Sequence, residues 1–220
     1  MKNTKMPIAL KTVFAKYVRK ACPDDAKEIM EKAESIYKAF AEETPDIGGN
    51  ENWMAFNLNL AMAFFSVYEA SDHRIGGEAV QAIAEDMYGK LGFLKKLLDA
   101  NNPAVLKLLY KVYVPYAKTV KEKKSTGEWN NTWGVEINPE GHWEGASLHL
   151  TSCPIADFAK KHGYLELMPY LCKTDHITAS LVHAKLIRHH TIARGADSCD
   201  YWYVGDRSAA ARKYADLEDI

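Results

Sequence analysis

From residue 8 to about residue 124, apolar side chains recur every three or four positions, as in AKEIMEKAESIYKAFAEE and PAVLKLLYKVYVPYAKTVKEKK. That period lines one face of an α-helix, so this half of the chain predicts four or five helices. They are separated at ACPDD, TPDIGGNEN, RIGG and NNP, stretches of Gly, Pro, Asn and Asp that end regular structure. Pro23 and Pro103 follow turn or capping residues and can open helices. The most apolar run, WMAFNLNLAMAFFSVY at 53 to 68, is too short for a bilayer and carries Asn57 and Asn59. It predicts a buried helix rather than a membrane span.

Beyond Gly127 the pattern changes. TWGVEI and EGASLHLTS are short, rich in β-branched and aromatic residues, and joined by NPEGHW, which predicts a hairpin. Two helices come next, roughly 154 to 162 and 164 to 182. KLIRHHTIA and CDYWYV then predict a second strand pair around the turn RGADS. The expectation is an α+β fold: a helical N-terminal half, then a small antiparallel sheet with helices packed on one face. With no repeat, low-complexity tract or long linker, residues 1–220 read as a single domain. Residues 1–125 form its helical part, 126–207 its α+β part and 208–220 a C-terminal tail.

Composition narrows the class of function. Lys and Arg number 28 against 29 Asp and Glu, a balance that recommends neither nucleic acid nor an acidic membrane as partner. The run KEKK at 121 to 124 reads as a solvated helix end. The N-terminus lacks the apolar stretch and cleavage site of a signal peptide, so the expected location is cytoplasmic, where thiols stay reduced. No phosphate loop, dinucleotide fingerprint, CxxC or HExxH is present. The expected partner is a small molecule; oligomeric state is not legible. The five tryptophans and twelve tyrosines could line an organic-ligand pocket or fill the core.

Three of the four cysteines lie in the last third of the chain. Cys153 precedes Pro154 where a strand meets a helix, so helix amides and the helix dipole would favour its thiolate; it could equally fill that corner as an apolar residue. Cys172, Asp175 and His176 stand at i, i+3 and i+4, a spacing that shares one helical face. His176 could take a proton from the thiol while Asp175 orients it, or Cys172 and Asp175 could ligate a divalent metal; the two polar residues could also face solvent. A five-residue RGADS turn would pair Ala193 with Cys199 and Thr191 with Tyr201. That register puts Cys199, Thr191 and His189 on one face, and Asp200, His190 and Arg188 on the other.

The order SCPIADFAKKHG, PYLCKTDH, LIRHHTIARGADSCDYWYVGD resembles the L-2-amino-thiazoline-4-carboxylic acid hydrolase family, with motifs over about residues 126 to 207. The resemblance implies hydrolysis of a non-peptide carbon–nitrogen bond in a cyclic amidine-like or thiazoline substrate, and points to Cys153, Cys172, Asp175, Cys199 and Asp200. With His176 these cysteines and Asp175 are the expected catalytic group. Arg188, His190 and Asp200 are expected to bind substrate, with Arg188 or Arg194 pairing with a carboxylate. A more distant similarity to the 4-vinyl-reductase-like ligand-binding domains implies an alternative: a non-enzymatic sensor or carrier with zinc held by Cys153, Cys172, Asp175 and Cys199. The expected cofactor is accordingly none, or one divalent metal such as zinc.

Overall fold

The computed structural model describes residues 4–217. Its N-terminal half is helical: α1 (Ile8–Ala21), α2 (Ala26–Glu43), α3 (Ala55–Ala70), α4 (Gly77–Gly89), the single turn α5 (Leu94–Leu97) and α6 (Pro103–Ser125). The four stretches that the sequence marks all fall at breaks between helices, reaching into them only at the terminal residues Ala21, Gly77 and Pro103. Pro103 is the first residue of α6, and the Asn102 side chain accepts a hydrogen bond from the Ala104 amide, capping the helix. The apolar run becomes α3, buried nearly all round, with α1 and α2 packed against it. No helix among the described residues is long and apolar enough to cross a membrane.

The second half supplies β1 (Gly134–Ile137), β2 (Ala146–Ser152), α7 (Pro154–His162), α8 (Met168–Ser180), β3 (Ala184–Ile187), β4 (Cys199–Gly205) and a short α9 (Ala209–Lys213). The strands form one antiparallel sheet in the order β1-β2-β4-β3, so the fold is α+β. One large apolar core joins both halves, from Leu10 and Phe14 on α1 through α3 to Leu148 and Leu150 on β2. Phe65 of α3 stacks on Tyr164 at 4.8 Å and on Phe158 of α7 at 5.8 Å, tying the helical half to the segment after β2. The far side of the sheet is not bare: α9, expected only as tail, packs Ala210 and Ala211 against Ile187 and Val204.

The register of the last strand pair departs from expectation. Ile187 lies opposite Trp202 and Leu186 opposite Tyr203, and residues 188 to 198 form a long connection containing one 3-10 turn at Ile192–Arg194. The reason is a side chain that takes over from the ladder. The Asp200 carboxylate accepts the backbone amides of His189 (2.9 and 3.0 Å) and His190 (2.8 Å), and Cys199 Sγ accepts that of Ile192 at 3.2 Å. With those amides satisfied, β3 stops at Ile187. The expected pairing of Ala193 with Cys199 and Thr191 with Tyr201 is therefore corrected, and the opposite edge of β4 pairs with β2, Leu150 against Cys199.

Two buried features fix how the helical half meets the sheet. Asn52 donates to Ile47 O (2.7 Å) and Thr132 Oγ1 (2.8 Å), holding the loop after α2 against the approach to β1. Asn52→Ala leaves the Ile47 carbonyl without this donor and Thr132 Oγ1 with only the longer contact to Tyr116 OH, at about 1–3 kcal/mol. Denaturant titration should show this as a lower midpoint with an unchanged slope. Gly77 lets α4 lie directly on α8, because a Cβ there would come within 2.1 Å of the Tyr170 ring. That close approach sets the position of α8.

Candidate active site

Between the inner face of the sheet and helices α3, α6 and α8 lies a cavity of about 270 Å³. Leu148 and Leu150 of β2 and Tyr201 and Tyr203 of β4 form its floor; Trp53, Asn57, Tyr88 and Tyr113 bring walls from the helical half. Of the tryptophans, Trp53 and Trp133 line it. Cys153, Cys172 and Cys199 all reach this one space, with Asp175. Cys153 enters from the start of α7, Cys172 and Asp175 from one face of α8, and Cys199 from the start of β4.

The other expected residues lie elsewhere. His176 does not line the cavity. At about 100° per residue it stands about 40° beyond Cys172, which is already at the edge of the arc of α8 that faces inward through Met168, Leu171, Asp175 and Thr178. Asp200 alternates with Cys199 and Tyr201 and so points to the opposite face of the sheet. There it binds His189 Nδ1 at 2.8 Å and His190 Nδ1 at 3.3 Å. His190 and Asp200 therefore organise the connection before β4 and are not brought to the cavity. Arg194 is exposed.

Arg188 does turn to the site, in a different role from the one expected. It is 1% exposed, donates from Nη1 to Asp175 Oδ2 at 2.8 Å and from Nη2 to Cys172 O at 3.0 Å, and lies 5.0 Å over the Tyr201 ring. Tyr201 OH donates to the same Asp175 oxygen at 2.9 Å. The guanidinium thus anchors the carboxylate and the backbone of α8, while the Asp175 side chain stays 35% exposed toward the cavity. Tyr201 is the cavity-lining residue that sequence reasoning misses. The signal is present, since CDYWYV at period two puts positions 199, 201 and 203 on one face.

Burial decides the protonation of the thiols. Removal from water pushes Cys153 up to about 12, although the amides of Ala156 and Ile155 at the start of α7 act the other way. The helix-start argument for a standing thiolate is corrected accordingly: desolvation outweighs the dipole. Burial also raises Cys172 and Cys199; the Asp175 charge adds to both, and Arg188 opposes it. Cys172 feels Cys153 and Cys199, so the three thiols sit within mutual electrostatic reach. The phenols of Tyr201 and Tyr203 are likewise held protonated by burial, with Asp175 contributing.

The thiol shifts make stability depend on pH. An unfolded cysteine releases its proton at about pH 8.5, whereas folded Cys153 holds it to about 12. The stabilisation is complete below the first value and is lost as pH rises toward the second. Between about pH 8 and about pH 10.5 the melting temperature of the native protein should fall further than that of Cys153→Ala, each compared with its own value at the lower pH. Equal falls would remove burial as the controlling cause. Alkylation by iodoacetamide near neutral pH should correspondingly be slower for these three thiols than for an exposed cysteine.

Among the described residues no group of three or more His, Cys, Asp or Glu side chains is arranged to hold a metal ion. Cys153, Cys172, Cys199 and Asp175 share a cavity without forming such a set, and Asp175 Oδ2 is already shared by Arg188 and Tyr201.

Fold and cavity together define an α+β protein with a small, thiol-lined pocket that holds one carboxylate. The sequence profile of the L-2-amino-thiazoline-4-carboxylic acid hydrolase family matches residues 57–203, about two thirds of the chain, and the protein belongs to that family. The matched span runs from α3 to β4 and contains Cys153, Cys172, Asp175, Cys199 and Tyr201. No curated protein and no solved structure matches the chain. The comparisons show this family and not the more distant likeness to the 4-vinyl-reductase-like domains.

Proposed function

We propose that the protein hydrolyses a non-peptide carbon–nitrogen bond in a small cyclic amidine-like, thiazoline-type substrate, with Cys153 as nucleophile. The observation that carries this reading is the convergence of three thiols and one anchored carboxylate, from three separate segments, on a single cavity in a member of this family.

The chemistry suits thiols that are protonated at rest. The amino group of the amidine donates to Asp175, which brings its electrophilic carbon to the thiols. As the Cys153 sulfur bonds to that carbon, the carbon–nitrogen π pair moves to the ring nitrogen, which takes the thiol proton, so no free thiolate is needed in a buried site. The lone pair of the exocyclic amino group then forms a carbon–nitrogen double bond as the ring carbon–nitrogen bond breaks, one of its protons passing to the departing ring nitrogen, which leaves as an amine; water adds to the same carbon and expels the Cys153 thiol, which regains its proton from that water. One water is consumed and the cysteine is restored. The Ile155 and Ala156 amides stabilise negative charge on sulfur as the bond forms and breaks.

Incubation with 2-amino-thiazoline-4-carboxylate, followed by mass spectrometry, tests the reading: a product heavier by one water is expected, with a transient adduct on Cys153. Binding without turnover, equally tight in Cys153→Ala, would instead favour a carrier, a role consistent with three protonated thiols as a neutral wall.

A further inference from the structure

Helix α6 presents more apolar surface than the core uses. Of its 23 residues only Leu106, Tyr116 and Val120 are buried. Yet Val105, Leu108, Leu109 and Val112 recur along it at helical spacing, with Leu108 and Val112 43% and 50% exposed. With Val182 beyond the end of α8 they line an open groove of about 380 Å³ that no charged side chain borders among the described residues.

The groove meets the thiol-lined cavity. Trp53, Tyr113, Thr178 and Tyr203 line both spaces, so the two adjoin along one wall. Trp53, 48% exposed, packs edge-on against Tyr113 at that junction, with ring centroids 5.5 Å apart. The cavity alone, at about 270 Å³, is slightly smaller than ligand sites usually are, and the groove beside it offers further room next to the four residues that line both. One end offers thiols and a carboxylate, the other only uncharged and mostly apolar walls.

We propose that the natural ligand carries an aliphatic tail that lies along this groove between α6 and α8 while its polar head faces Asp175. The identity of the head rests on the proposed hydrolysis of an amidine-like substrate; the tail rests on the groove and its junction with the cavity. That junction favours a chain on the ligand over a second copy of the protein, which would cover α6 without making use of the cavity.

Calorimetric titration of the intact protein with n-alkylamidines, from acetamidine to octanamidine, and with 1-alkanols of matching length separates the two ends. Amidine affinity should rise about fourfold per added methylene until the groove is filled. Val112→Asp, at a half-exposed position outside the cavity, should abolish that rise and leave acetamidine binding unchanged. Acetamidine binding with no dependence on chain length sinks the tail and spares the amidine reading. Chain-length dependence shared equally by alkanols sinks the amidine head and upholds the tail. No binding by any probe, a dependence that survives both Val112→Asp and Leu108→Asp, or a dimer that Val112→Asp dissociates while no probe gains from length, overturns the proposal.

Discussion

Cys153→Ser should lower kcat for ring opening by at least about a thousandfold, the scale on which a removed nucleophile acts. A hydroxyl in the same pocket is a far weaker nucleophile than a thiol, and the amides of Ile155 and Ala156 cannot compensate. KM should change little, because the proposed contact of Asp175 with an amidine is left in place. The conservative replacement also keeps the corner between β2 and α7 filled, so the circular dichroism spectrum should match that of the native protein. A variant retaining a tenth or more of native kcat would move the nucleophile to Cys172 or Cys199. Cys172→Ser and Cys199→Ser, measured beside it, then identify which.

Asp175→Asn should harm both activity and stability, and the two effects can be separated. The substitution removes the charge proposed to draw the amidine, and kcat/KM should fall at least about a hundredfold. It also takes away the carboxylate that pairs with the buried Arg188 guanidinium at 2.8 Å. Breaking a buried pair costs roughly 3 kcal/mol at the low end of the usual range, fitting here because Asp175 is partly exposed. For a domain of this size that is a drop of roughly 6 to 12 °C in melting temperature. Adding Arg188→Met removes the buried cation that Asp175 pairs with, so the double variant should recover most of the stability and none of the activity. Recovery of both would assign the whole effect of Asp175 to structure.

The sequence is informative where one periodicity decides the outcome and silent where distant parts meet. The helices of the first half and the β1-β2 hairpin are legible from spacing and turn residues alone. The convergence of Cys153, Cys172 and Cys199 is suggested by their places at a helix start, on a helix face and at a strand start. Thiol protonation at Cys153 is not legible locally: its neighbours in sequence supply the helix amides, while the desolvation comes from a cavity closed in part by Trp53 and Tyr113, far away along the chain. The role of Arg188 is hidden for a related reason, since its direction depends on a register set by the Asp200 side chain and not by the turn. His176 shows how coarse the shared-face rule is, since one residue beyond Asp175 already leaves the cavity wall.

The strand order carries a consequence for biosynthesis. Strand β4 lies between β2 and β3 yet is the last of the four to be made, so a nascent chain that ends before Cys199 has two strands with facing edges and nothing to join them. Such unpaired edges invite association with other chains. The cavity floor, made in part by Tyr201 and Tyr203, is incomplete until that strand slots into place. The cavity is therefore enclosed only in a chain long enough to include β4, and a truncation before Cys199 loses two sheet ladders and that part of the pocket floor together.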